Sequence, residues 1–236
     1  MAPKVLIVLS SHDHFPANGK PTGWYLPEFA HPYHVLKDKA ELVIASPKGG
    51  EAPLDPNSVE MFKNDPVSAD FLQNGQELWK NTVKLADVLP KVNEFDALFY
   101  VGGHGPMYDL HYDPTSLALI QSFSEAKKPV SAVCHGPTVF LRATSAAGQP
   151  LLTNASVVTG FSNVEEDQAG LTPLMPYMLE DELVRVTGGQ YVKADQPWGE
   201  KVVVSKTGNG AVLITGQNPA SATGVGQEIL KALGVN

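Results

Sequence analysis

The sequence predicts an α/β protein, a mostly parallel sheet with helices on both faces. Three observations predict it. Short apolar, β-branched runs alternate with segments of helical period, the pattern of βαβ crossovers. Three of those runs stop abruptly at Ser, Gly or Cys followed closely by His, as a chain does at the carboxyl edge of an open sheet. No repeat and no linker interrupts the 236 residues. The reading is therefore one domain over 1–236, with lid-like insertions near 11–22, 47–80 and 165–185.

The elements follow in order. Lys4–Ser10 (KVLIVLS) reads as a buried strand. Ser11–Thr22 is polar and holds Pro16, Gly19 and Pro21, so it is a loop. Trp24–Lys37 is helical, with Pro27 near its first turn and Pro32 straining its middle. Leu42–Ser46 is a second strand, and Pro47–Asn57 is punctuated by Gly and Pro. Ser68–Leu89 is a helical region broken at Gly75. Phe95–Val101 is a strand running into Gly102-Gly103-His104-Gly105. Thr115–Lys127 is a helix with Leu117, Ile120 and Phe123 on one face. Val130–Val133 is a strand that stops at Cys134, with a helix over His135–Thr144. Val157–Val158 is a short strand, and Glu166–Arg185 is mixed. Val202–Ser205 and Val212–Thr215 are strands joined by a turn at Thr207–Gly210. Ser221–Leu233 closes as a helix, with Ser221 as its N-cap.

Composition narrows the function. A chain of this length buries about 70 % of its surface on folding and needs no staples. The charge of −8 and the lack of a Lys/Arg run argue against nucleic acid as a partner. One cysteine allows no intrachain disulfide, which suits a reducing compartment. The N-terminal VLIVL is too short for a signal peptide, and no run approaches a membrane helix. These features read as a soluble, cytoplasmic protein with no membrane partner.

Chemistry gathers at the three strand ends. Cys134 is either a buried inert thiol or a nucleophile on a sharp strand-to-helix turn, where the helix N-terminus favours thiolate. Gly102-Gly103 is either a tight turn or the source of a backbone amide aimed at an oxyanion. Glu28, inside the apolar YLPEFA, is either solvated or a buried acid with raised pKa. Glu165, Glu166 and Asp167 suit a helix N-terminus, or one of them orients His135. His12-x-His14 and His31-x-x-His34 have ligand spacing, but neither is a specific pattern, and no metal is assigned. There is no GxGxxG fingerprint, so no nucleotide cofactor is assigned either.

Taken together, KVLIVLS, TG with Glu28 and His31-Pro32, FDALFYVGGHG, VSAVCHGP, Pro197-Trp198 and LITGQNPASA span nearly the whole chain in order. Pro150-Leu151 and Val158–Phe161 fall between them in the same order. Their combination resembles the ThiJ/PfpI superfamily, and within it the heat-inducible chaperones and glutathione-independent glyoxalases (glyoxalase III). The resemblance implies a flavodoxin-like sandwich akin to the class I glutamine amidotransferases. It implies a triad of Cys134, His135 and an acid placed like Glu166, with Glu28 close to the thiol. It implies oxyanion or substrate contacts from Gly103, His104 and His135. It implies a homodimer, cytoplasmic and also nuclear, that turns methylglyoxal, a small α-oxoaldehyde, into lactate without glutathione, metal or cofactor. Trp24 and Tyr25 are bulkier than the small residues expected before the glutamate, which implies a narrower pocket. The alternatives are a holdase chaperone using an apolar patch at Leu171–Leu179, and a cysteine peptidase or amidase using the same nucleophile. A lone cysteine oxidised to sulfinic acid would make a redox sensor.

Overall fold

The computed structural model describes residues 2–235. β1 (Lys4–Val8) runs through the middle of the sheet, with Val5 to Val8 all buried. It is followed by α1 (Leu26–Leu36), β2 (Glu41–Ser46), α2 (Pro56–Met61), α3 (Pro66–Asn74), α4 (Gln76–Lys80), β3 (Val83–Lys84) and α5 (Leu85–Val88). The second half runs β4 (Ala97–Tyr100), α6 (Pro114–Glu125), β5 (Val130–Val133), α7 (Asn163–Ala169), α8 (Leu179–Thr187), β6 (Val202–Lys206), β7 (Val212–Gly216) and α9 (Ala222–Ala232). One two-residue signal starts three of these helices. Asp55-Pro56, Asp65-Pro66 and Asp113-Pro114 each put a capping carboxylate before a proline in the first turn.

The strands form one seven-stranded sheet in the order β3-β2-β1-β4-β5-β7-β6. All pairings are parallel except the β6–β7 hairpin. The fold is therefore the mostly parallel, flavodoxin-like α/β sheet that the sequence predicts. The chain steps from β1 outward to β2, then returns to β4 on the other side of β1. α1 packs against α9, and α6 packs against α5 and over β4 and β5. The carboxyl ends of β1 and β4 flank the reversal point, where open α/β sheets form their ligand crevice.

Five local readings need correction. The region Ser68–Leu89 does break at Gly75, but the two-residue edge strand β3 interrupts it a second time before it ends in α5. The segment after Cys134 is a five-residue 3-10 helix, Gly136–Phe140, not a helix to Thr144. Pro137 in its first turn removes a backbone donor there. Val158 makes a single bridge to Tyr191, not a strand. Pro32 does not disrupt α1, which runs through it. Gly226 of α9 faces it, where a Cβ would come within 3.1 Å of Pro32 Cα, so the two helices pack closely. Ser221 occupies the N-cap of α9 without capping it, because its hydroxyl donates to Asn218 Oδ1 and accepts from the Lys201 amide, both at 3.0 Å. Of the lid-like segments, 165–185 is carried by α7 and α8, and the Tyr108 hydroxyl ties it down by donating to the Leu174 carbonyl at 2.5 Å. Leu171 to Met178 is neither buried nor an open apolar face: only Pro173 and Pro176 are exposed.

Candidate active site

The site forms where β4 and β5 end. Cys134 follows β5 directly and adopts φ +61°, a left-handed backbone that costs a non-glycine residue about 1–3 kcal/mol. The turn is held on both sides. The Cys134 amide donates to the Gly216 carbonyl and the Phe161 amide donates to the Cys134 carbonyl, both at 2.9 Å. Gly102 lies against it so closely that a Cβ would collide with Glu28 Oε2, the Val133 carbonyl and Cys134 Cβ. Gly103, at φ +87°, packs against the Gly23 carbonyl in the same way. Both glycines are required by space.

The thiol lies 3.3 Å from Nδ1 of His135, so these sequence neighbours do touch across the turn. Nε2 of His135 lies 2.5 Å from Glu166 Oε2, and Nε2 of His104 lies 2.9 Å from Glu166 Oε1. A carboxylate only accepts, so both rings carry their proton on Nε2. That leaves Nδ1 of His135 as a lone pair facing the sulfur. Burial and the neighbouring His104 lower the His135 pKa against the pull of Glu166, so the ring is neutral at pH 7. Burial opposes the Glu166 charge, but His135 and the hydrogen bonds from both histidines hold its carboxyl far below the usual range.

The adjacent acids divide the work. Glu165 closes a capping box with Ser162 at the start of α7. It also accepts from Gln217 Nε2 at 3.0 Å, Asn218 Nδ2 at 2.8 Å and the Trp198 amide at 2.8 Å. Glu165 thus binds structure together, and Glu166 alone reaches the histidines. Their side chains diverge because successive helix residues point about 100° apart.

Glu28, in the first turn of α1, is fully buried, and neither of its oxygens has a hydrogen-bond partner. Its polar neighbours are the Cys134 thiol and the amides of Gly102 and Gly103. Burial pushes the Glu28 carboxyl up, and burial together with the Glu28 charge pushes the thiol up. This reverses the thiolate expected from a helix N-terminus. The 3-10 turn after Cys134 supplies no α-helix dipole, and desolvation dominates. The two groups hold at least one proton between them at neutral pH.

Aromatic rings close the site. Phe161 packs 4.5 Å from His135 and 5.4 Å from Trp198, centroid to centroid, and Phe15 lies 5.4 Å from His104. Trp198 is 39 % exposed at φ +64°, with its indole donating to Gln168 Oε1 at 2.6 Å. Cys134 itself is only 4 % exposed. A wider cleft of about 440 Å³, lined by Ser11, His12, Lys48, Tyr108 and Asp109, contains none of the triad. The sequence-level metal pairs do not assemble. His31 bonds Thr223 and Asp65, and His12 stacks on His14 and Tyr108. His104, expected to contact substrate or oxyanion, has Nε2 engaged by Glu166. Sequence reasoning gave no role to Trp198, Gln217 or Asn218. Gln217 and Asn218 directly follow β7, and the carboxyl-edge rule that drew attention to Cys134 applies there too.

A model of the DJ-1/PfpI family matches residues 26–232. Glyoxalase 3 of Candida albicans is 29 % identical, with 99 % of each chain covered. The glutathione-independent glyoxalase HSP31 of Saccharomyces cerevisiae is 27 % identical over 99 % of each. Among solved structures, the Rapid Encystment Protein 24 KDa of Francisella tularensis superposes with a TM-score of 0.88 at 35 % identity, over 98 % of this chain and 99 % of that one. The Candida albicans glyoxalase III structure gives 0.85 at 27 % identity, over 98 % and 97 %.

Proposed function

The chain belongs to the DJ-1/PfpI family, and from that premise we propose that it is a glutathione-independent glyoxalase acting on methylglyoxal and related α-oxoaldehydes. One observation carries the reading. A cysteine at a strained turn has a histidine lone pair on its sulfur and an unpartnered, fully buried carboxyl beside it. A small substrate suits so closed a site.

The proposed steps balance without an outside oxidant. His135 Nδ1 takes the thiol proton, and Sγ adds to the aldehyde carbon to give a hemithioacetal. The Gly103 amide steadies the oxyanion. Glu28, as base, removes the proton from the former aldehyde carbon, and an enediol forms with the neighbouring carbonyl. Glu28 then returns a proton to the second carbon, leaving a lactoyl thioester on Cys134. Water hydrolyses it to lactate and frees the thiol. The first carbon is oxidised, the second is reduced, and water is added overall, so the reaction draws on no external electron carrier. Written in reverse it is a dehydration, which places it among the carbon–oxygen lyases. A homodimer in the cytoplasm, and also the nucleus, is proposed on the family resemblance alone. Among the described residues no helix is long and apolar enough to cross a membrane.

The test is lactate formation from methylglyoxal without glutathione, for wild type and Cys134→Ala. Turnover lost by about 10⁴-fold or more in the variant is expected. Negligible turnover by wild type with a reduced thiol sinks the proposal.

A further inference from the structure

A cysteine triad uses one histidine and one acid. Here a second histidine occupies the other oxygen of the same carboxylate, and the cysteine chemistry leaves it without a task. We propose that His104, His135 and Glu166 form a binding site for a divalent transition-metal ion of the zinc type, and that its occupancy switches the thiol chemistry off.

These three side chains make a complete ligand set. Two imidazole Nε2 atoms converge on the two oxygens of one carboxylate, and the ligand atoms all lie within 4.8 Å of one another. Zinc takes imidazole nitrogen and carboxylate oxygen at about 2.0–2.2 Å, which in a tetrahedral site puts neighbouring ligand atoms about 3.3–3.6 Å apart. The observed N···O separations of 2.9 and 2.5 Å open by about 0.4–1.1 Å to reach it, a shift of side chains already aimed at a common point. Two histidines and one carboxylate leave coordination positions open for water. The thiol is not a ligand, because it faces Nδ1 of His135 while the ion would sit on Nε2. Phe15 and Phe161 wall the cluster, and a dry, low-dielectric surround strengthens ion–ligand attraction.

The consequence follows from proton placement. To offer Nε2 to a metal, each ring moves its Nε2 proton to Nδ1. No proton is lost and nothing is oxidised or reduced. His135 then presents N–H, not a lone pair, to the Cys134 sulfur. The base that takes the thiol proton is gone until the ion leaves.

Zinc binding, measured by competition with a chromophoric chelator, and the cobalt(II) spectrum test this independently of turnover. Wild type and Cys134→Ala should each take one ion. Their cobalt spectra should match and lack a thiolate charge-transfer band. His104→Gln and Glu166→Gln should each weaken binding by about 100-fold or more. Circular dichroism checks that each variant folds, and the cobalt spectra of wild type and Cys134→Ala decide the matter if the ligand variants do not. The proposal is overturned if wild type takes no ion, if Cys134→Ala abolishes binding, or if both ligand variants retain it. Where turnover is present, zinc should stop it and a chelator restore it. The binding arm does not rest on the glyoxalase reading, so either can fail alone.

Discussion

Two helix starts deliver buried glutamates to opposite sides of Cys134, and they treat the same side chain in opposite ways. At the start of α7, Glu165 is surrounded by donors from Ser162, Trp198, Gln217 and Asn218, and Glu166 by two imidazoles. At the start of α1, Glu28 has only the Cys134 thiol and the Gly102 and Gly103 amides beside it, none of them in good hydrogen-bond geometry. The first region stabilises charge and pulls carboxyl pKa values down. The second penalises charge and pushes its carboxyl up. The difference teaches where protons reside. The α7 side is built to stay ionised and fix histidine tautomers, while the α1 side is built to hold or pass a proton.

The largest effect should come from breaking the ionised side where it meets the histidines. Glu166→Gln keeps shape but can donate toward His135, which destabilises the Nε2–H tautomer. Turnover should fall by about 10³–10⁴ with KM little changed. In the wild type, the acid limb of kcat/KM should lie below pH 6.5, the ordinary histidine value, because burial and His104 hold His135 neutral. A limb above pH 7 would contradict the assignment of His135 as the base.

Glu28→Gln sharpens the contrast by separating activity from stability. Turnover should drop by about 10²–10³, because the amide cannot relay a proton. Stability should rise by about 1–2 kcal/mol at pH 8, since an unpartnered buried carboxyl is removed. The sign depends on pH. A carboxyl with a raised folded pKa binds its proton more tightly folded than unfolded, so wild-type stability falls as pH climbs from 4.5 toward the folded value. The advantage of the variant should vanish near pH 4 and grow toward pH 8. Urea unfolding at both pH values measures it, and a variant less stable at pH 8 would break the comparison.

Glu165→Ala should act mainly on stability. It leaves the Gln217 and Trp198 donors without their acceptor and Asn218 Nδ2 with the Gly199 carbonyl alone, a loss of about 2–3 kcal/mol. A thermal melt shows it. An unchanged melt would mean that water replaces the carboxylate and that the α7 side is less enclosed than its contacts imply.

Much of this was legible in the sequence because burial on both faces leaves a plain mark. The runs that became β1, β4 and β5 are continuous apolar stretches, and their ends pointed to Gly102, Gly103 and Cys134. β3 was not legible, since two exposed residues at a sheet edge carry no pattern. The division between Glu165 and Glu166 was not legible either, because it depends on which way each points from α7. The raised thiol pKa arises from desolvation and from a glutamate over a hundred positions away, neither of which spacing reveals. The left-handed backbone of Trp198 has no residue signature at all, since the sequence shows an ordinary tryptophan where glycine would be easier.

Trp198 also offers the smallest and most discriminating test. Its strained backbone is held by the carboxylate of Glu165, and its ring leans on Phe161, which leans on His135. The ionised side of the site therefore reaches the surface at Trp198. If the indole is a wall for the substituent on the substrate's ketone carbon, Trp198→Ala should raise KM for phenylglyoxal about three- to tenfold, the worth of one aromatic contact. It should leave kcat, and KM for methylglyoxal, nearly unchanged. Trp198→Phe keeps a ring and should recover most of the loss. A fall in kcat for both substrates would instead mean that the ring stack sets the position of His135, which extends the ionised side of the comparison from fixing a tautomer to aiming the base itself.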